Sequence, residues 1–172
     1  EGTTAAAHNH PNAISIAGIS KYNSIIKVPE NPKTGRTHIY YRKLFAPKAF
    51  RNTISIEKSP EENLKKIMKL SKIPASQITV TAMNRQANSS IIQAAQKLGT
   101  QLILIEAGDL LWGLKALLSD PEKPIIAMGR GGAEEGAITQ IAAHALHATG
   151  QLQAMEQEEN VESVDKTPIW ET

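Results

Sequence analysis

At 172 residues, 41% of them hydrophobic and 21% charged, the chain is long enough for one domain with a real core and is composed like an ordinary globular protein. Aromatics are only 4%, so the core must be aliphatic and alanine-rich, and the absence of cysteine excludes disulfides and thiolate metal sites. No apolar run approaches the ~18–20 residues of a membrane span and no signal peptide is visible, which points away from membrane insertion and toward a soluble protein of the cytoplasm or of an organelle matrix or stroma.

The chain begins at Glu1 and not at methionine, as a processed product, a fragment or an incomplete record would. Residues 1–11 form a small, polar lead-in. Ala13–Ile19 is apolar and predicts a buried strand, and Ile25–Val28 a second one. Glu30–Thr37 carries the proline and glycine signals of a surface loop. His38–Phe45 predicts a third strand and Thr53–Ile56 a short fourth. Charge is uneven along the chain. Residues 21–72 hold 13 Lys/Arg against 4 Glu, and residues 151–172 hold 6 Asp/Glu against 1 Lys. The basic part is either a solvated surface or a face for nucleic acid, RNA included, or for an acidic partner.

Ser59-Pro60-Glu61-Glu62 opens a helix: serine caps, proline takes the first helical position and glutamates fill the first turn. Pro74 ends it. Ile78–Met83 alternates β-branched residues and predicts a strand. Asn88–Leu98 predicts a helix with Asn88 or Ser89 as cap and Gly99 as stop. Leu102–Ile105 is a near-continuous apolar strand of the kind covered on both faces. Asp109 caps a helix over 110–118. Pro124–Met128 is the next strand. It feeds a glycine corner, Gly129–Gly132, and then a helix from Ala133 to about Met155. Residues 156–172 form an acidic tail, docked by Ile169 and Trp170.

Helix and strand alternate from 60 to 155, the pattern of a parallel α/β layer. Its ligands collect beyond the carboxyl ends of the strands, where three corners lie: Asn84–Asn88, Glu106–Asp109 and Gly129–Glu135. The expected organisation is a strand-rich part over 1–57 belonging to a neighbouring sheet, an α/β domain over 58–155 and a tail over 156–172. The glycine corner brings backbone N–H groups and a positive helix end to one point, which suits phosphate. Glu134 and Glu135 in the first turn complement the dipole or hold a divalent cation. The bland readings are a capping role for Asp109, core packing for one of Tyr40 and Tyr41, and surface positions for His144 and His147, which stand three apart on the same helix. His8 and His10 are a loop pair, either weak chelators or a chance spacing.

Five stretches in register resemble the class II, or GlpX-type, fructose-1,6-bisphosphatases. EGTTAAAHNHPNAISIAGIS is similar to that family's segment beginning E-G-T. HIYYRKLFAPKAF is similar to its D-x-Y-M-x-K-[IL] strand, and SPEENLKKIMKLSKIPASQITVTAM to its E-N-L helix and the strand after it. AGDLLWGL resembles D-G-D-V-A-x-x-I, and GRGGAEEGAITQIAAHALHATGQLQ resembles G-I-G-G-A-P-E-G-V with the helix beyond. The resemblance implies a layered α/β sugar-phosphatase fold. It also implies removal of the 1-phosphate of fructose 1,6-bisphosphate, and in some members of sedoheptulose 1,7-bisphosphate, with Mg²⁺ or Mn²⁺.

Carried over by position, it makes Glu1, Gly2, Thr3, Tyr40, Arg85, Gly108, Asp109 and Gly132 substrate-binding residues and Glu1 and Glu135 metal ligands. Departures accompany the matches. Gln86, Ala87 and Asn88 replace proline, arginine and histidine, and Ala107 replaces the first aspartate of D-G-D. Arg130 replaces isoleucine and Glu134 replaces proline. Asn31–Thr37 looks like an insertion. Two further metal carboxylates and an aspartate ahead of E-G-T have no counterpart, and the match fades after about Met155. The expectation is therefore a degenerate relative, silent alone and serving as a structural or interaction subunit of a larger assembly with a protein partner. Its alternatives are the core of an active sugar bisphosphatase and an RNA-binding module using the basic 21–72 surface.

Overall fold

The computed structural model describes residues 6–9, 14–19, 21, 40–155 and, for the backbone alone, 169–171. The predicted strand at Ile25–Val28, the insertion at Asn31–Thr37 and the first three residues lie outside the described residues.

Among the described residues the strands are β1 (Tyr40–Ala46), β2 (Thr79–Met83), β3 (Gln101–Ile105), β4 (Ile125–Gly132), β5 (Thr149–Ala154) and β6 (Ile169–Glu171). They form one sheet in the order β3-β2-β4-β1-β5-β6. Strands β3, β2 and β4 run parallel, and β1 is antiparallel to both β4 and β5. The fold is thus α/β, as expected of a sugar-phosphatase-like architecture. β1, however, does not belong to a neighbouring sheet. It fills the middle of this one, pairing Tyr40 with Gly132 on one side and Tyr41 with Ala154 on the other.

Among the described residues four longer α-helices cover the faces. Helix α1 (Pro60–Ser71) starts with a full capping box: Ser59 Oγ accepts from the Glu62 N–H and the Glu62 carboxylate accepts from the Ser59 N–H. Helix α2 (Ser89–Leu98) ends at Gly99 in the left-handed conformation, as Gly99 was expected to do. These two bury Leu64, Ile67, Ile91 and Ala95 against Leu44, Val80, Ile126 and Met128. Helices α3 (Asp109–Leu118) and α4 (Ala133–Ala145) cover the opposite face. There Ala116, Leu117 and Ala143 meet Tyr41, Phe45 and Leu152. The core is aliphatic and alanine-rich, as the composition requires.

Several elements differ from expectation. The helix predicted to reach Met155 stops at Ala145. His147 then takes a left-handed backbone (φ 50°) and the chain returns as β5, buried along its whole length. The docking of the tail by Ile169 and Trp170 does hold, and its form is a strand, β6, paired antiparallel to β5. Residues 14–19 form no strand. They join no ladder, and Ile19 is 93% exposed. β3 is an edge strand with Leu104 exposed, not one covered on both faces.

Thr53–Ile56 is not a strand either, because side chains take its backbone groups. The Ser55 N–H donates to Asn63 Oδ1 at 2.9 Å and the Ile56 N–H to Gln151 Oε1 at 2.6 Å. The Gln151 amide donates in turn to the Ile54 carbonyl at 3.3 Å. This turn-and-coil segment is therefore pinned to β5 by one buried glutamine.

Two predictions follow from these pins. Gln151→Leu strands a backbone donor and a carbonyl in the interior, so urea unfolding should show a loss of about 2–4 kcal/mol. Glu62 is held below its ordinary carboxylate range by the Ser59 backbone N–H first and the Ser59 hydroxyl second. A lowered folded-state pKa gives stability that is present above the ordinary value and lost as pH falls through the lowered one. In acid titrations of stability, Glu62→Gln should therefore show a shallower decline below about pH 4.5 than the parent chain.

Candidate functional site

Because β2, β3 and β4 are parallel, the three corners after them lie at one end of the sheet, as the sequence pattern requires. They are laced pairwise. Asn84 Nδ2 donates to Glu106 Oε1 at 2.8 Å, joining the first corner to the second. The amide of Asn88, a residue 0% exposed, donates to the Met83 carbonyl at 3.0 Å and accepts from the Arg130 N–H at 3.1 Å. That joins the first corner to the third. Asn88 occupies the cap position of α2, yet its side chain does not cap the helix; it is spent on this bridge.

The second and third corners meet through Lys43. β1 alternates, so Tyr41, Lys43 and Phe45 share the face covered by α3 and α4. Lys43 is 7% exposed, and its Nζ lies 2.7 Å from Asp109 Oδ2. Asp109 does not cap α3. Gly108, with φ 87°, holds the cap position, and Asp109 stands in the first turn as the partner of the buried ammonium. Gly131 makes this possible: a Cβ there would overlap Asp109 Oδ2 and lie 2.7 Å from Lys43 Nζ.

The glycine corner is not a loop. β4 runs through Gly129 to Gly132, and α4 begins at the next residue. The start of that helix is filled by its own glutamate. A Cβ on Gly132 would overlap Glu135 Oε2, an atom that is buried and has no hydrogen-bond partner among the described residues. A carboxylate therefore stands where the pattern suggested phosphate. Of the two first-turn glutamates, Glu134 is exposed and Glu135 half-buried. Among the described residues no three of His, Asp and Glu gather as a metal site would require.

The expected site residues are distributed as follows. Tyr40 opens β1 opposite Gly132 and is 37% exposed. Gly108, Asp109, Gly132 and Glu135 share the same sheet end with it. Arg85 and Ala87 are exposed on the first corner. Glu1, Gly2 and Thr3 lie outside the described residues. His144 and His147 are both exposed, but His147 lies past the end of α4, so the pair does not share a helix.

Two of the basic residues of 40–72 are engaged within the fold. Lys43 is buried on Asp109. Arg42, on the opposite face of β1, donates to Gln153 Oε1 at 3.0 Å and to the Ile56 carbonyl at 2.9 Å. Lys43 is the residue that sequence reasoning passed over, and Asn88, read from the sequence as a helix cap, is instead a bridge between corners. The available signal for Lys43 was its place between Tyr41 and Phe45 on the inward side of a strand, where a lysine needs an acid.

The family model described as "Bacterial fructose-1,6-bisphosphatase, glpX-encoded" matches residues 1–169. Over 154 residues the chain is 30% identical to the D-fructose 1,6-bisphosphatase class 2/sedoheptulose 1,7-bisphosphatase 1 of Acaryochloris marina and to the corresponding bisphosphatase of Thermosynechococcus vestitus. It is 29% identical to that of Trichodesmium erythraeum. In each case the match covers 88% of this chain and 42% of the relative, so the chain spans less than half the length of these curated relatives.

Lys43→Met leaves the part-buried Asp109 carboxylate without its partner and should destabilise the chain by about 1–3 kcal/mol in chemical denaturation. Replacing both partners, Lys43→Met with Asp109→Leu, should recover most of that loss. A single variant as stable as the parent would show that the pair does not hold these two corners together.

Proposed function

Because the chain belongs to the glpX-encoded bacterial fructose-1,6-bisphosphatase family, we propose that it supplies one wall of a sugar-bisphosphate phosphatase site at the carboxyl end of the sheet. The substrate class is that of the matched relatives, fructose 1,6-bisphosphate or sedoheptulose 1,7-bisphosphate. The observation that carries this reading is Glu135 Oε2, buried at the start of α4 beside Gly132 without a hydrogen-bond partner among the described residues. A buried acceptor of this kind asks for a partner, and an anionic oxygen suits a hard divalent cation.

Mg²⁺ or Mn²⁺ fits this oxygen as one ligand among several, Glu1 being a further candidate by resemblance. When bound, such an ion neutralises phosphate charge and activates water. The chain's own groups would orient the substrate around it. Gly132 permits close approach of the backbone, and Tyr40 stands beside it across the β1–β4 ladder. Asp109 is held rigid by Lys43 and is a candidate for a sugar hydroxyl, with Gly108 setting the turn that aims it. Arg85 projects from the exposed first corner as a candidate for the distal phosphate.

A second reading keeps the ancestry and drops the activity. In it the chain is silent alone and serves as an interaction subunit of a larger assembly. Ala87 and Ala107 favour it: both are exposed at the sheet end, at positions where the resemblance implies an arginine and an aspartate, and neither can bind phosphate or metal through its side chain.

The two readings part on one residue. With the protein in Mg²⁺ or Mn²⁺ and fructose 1,6-bisphosphate as substrate, Glu135→Gln should cut phosphate release by at least about 100-fold, whereas Glu134→Gln should leave it within about twofold. Calorimetric titration with Mn²⁺ should show heat that Glu135→Gln abolishes. Activity or Mn²⁺ binding indifferent to Glu135→Gln would overturn the first reading, and absence of both from the parent protein would leave the second.

A further inference from the structure

The face of the sheet covered by α3 and α4 encloses one polar group that neither the ion pair nor the Glu135 corner uses. β2 alternates: Val80 and Ala82 pack with α1 and α2, and Thr81 points the other way. Thr81 stands opposite Ala127 in the β2–β4 ladder, and Ala127 packs with Phe45 under α3 and α4. Thr81 is 1% exposed there, and its hydroxyl is buried without a hydrogen-bond partner among the described residues. A β-branched residue suits the strand, but valine would fill the same space with no hydroxyl to satisfy. Leaving a buried hydroxyl unpaired is costly, so such groups in folded chains are met by protein or by ordered water.

The Thr81 side chain lines a cavity of about 20 Å³ that Lys43, Asp109, Trp112 and Thr139 also border. The volume decides what can enter. One water needs about 10–15 Å³, whereas pockets for small organic ligands begin at about 300 Å³. The walls offer both kinds of hydrogen-bonding group. The Lys43 ammonium has three donors, of which Asp109 Oδ2 takes one at 2.7 Å. The second carboxylate oxygen of Asp109 is an acceptor. The Thr139 hydroxyl donates to the Glu135 carbonyl at 2.7 Å and keeps its lone pairs. A bare ion does not suit the space, because the ammonium disfavours a cation and the carboxylate an anion. A buried water, which makes about three hydrogen bonds, does suit it.

We infer that this cavity binds a single internal water that joins the Thr81 hydroxyl of β2 to the Lys43–Asp109 pair of β1 and α3. The water gives Thr81 its partner and extends the ion pair's hydrogen bonding into the parallel half of the sheet. Trp112 of α3 walls the cavity, so the water exchanges with bulk only when that helix shifts. The site does not depend on the phosphatase reading: it concerns how Asp109 is held, whatever Asp109 then touches.

The test is ²H and ¹⁷O relaxation dispersion of water in solutions of the whole chain, which counts long-lived internal waters. The parent should hold one more such water than Thr81→Val, and Thr81→Ser as many as the parent. Thermal unfolding supplies a second readout. Deleting a hydroxyl that merely lacked a partner would raise Tm by about 2–4 °C, whereas deleting one that holds a water should leave Tm level or lower it. Equal counts in the parent and Thr81→Val, or a Tm raised in Thr81→Val, would overturn the proposal. A crystal structure of the parent chain needs no variant. Density for a water within about 3.2 Å of Thr81 Oγ1, and equally close to Lys43 Nζ or an Asp109 oxygen, is the expected result. A well-ordered Thr81 without such density would overturn it.

Discussion

A buried lysine cannot stand alone, and the end of this sheet is built around that constraint. Lys43 enters the interior because β1 alternates and its neighbours at 41 and 45 are core aromatics. Taking an ammonium out of water costs several kcal/mol unless a carboxylate meets it with good geometry. Asp109 does so at 2.7 Å, which fixes where α3 begins. The pair needs room, so β4 can carry nothing larger than glycine at 131. One electrostatic requirement thus ties together a strand, a helix start and a glycine from three separate parts of the chain. Such a pair adds little net stability over well-packed apolar residues. Its physical effect is to make one arrangement of the corners far better than its neighbours.

The sheet also acts as a divider between two chemistries. The same alternation that sends Lys43 toward α3 and α4 sends Arg42 toward α1 and α2. On the first face the exposed end carries Asp109 and Glu135. On the second, Arg42 and Arg130 stand opposite each other in the β1–β4 ladder. Asn88 sits where the two meet, its amide bonded to both β2 and β4.

Much of this was legible from local signals and some of it was not. The capping box at Ser59–Glu62, the Gly99 stop and the three parallel strands have short-range causes, and they are where the pattern put them. β5 was missed because an alanine-rich run through Ala142, Ala143, Ala145 and Ala148 looks helical until His147 turns left-handed. Its buried Gln151 and Gln153 then resemble surface residues, although their partners lie about a hundred residues away. The same long reach explains Thr53–Ile56, whose backbone groups are met by side chains rather than by a ladder. In the site, the resemblance supplied candidate positions, but no local rule says that Asp109 faces a lysine or that Asn88 bridges two corners. Those facts come from the insertion of β1 between β4 and β5, a pairing that no single stretch encodes.

The start of α4 shows how magnitudes decide between readings of one residue. A carboxylate in the first turn of a helix gains roughly 0.3–1 kcal/mol from the dipole. That gain is sufficient reason for Glu134, which is exposed. For Glu135 it is not, because one of its oxygens is buried without a hydrogen-bond partner among the described residues, at a cost of about 1–3 kcal/mol. Rotating the side chain toward water would keep most of the dipole gain and remove that cost. Phosphate does not account for the geometry either, since a second anion at the same helix start would meet this carboxylate. The cation proposed above would satisfy both terms, giving the buried acceptor a partner while leaving the helix start neutralised. The glycine-rich end of β4 is therefore the seat of a carboxylate and not an empty cradle for phosphate.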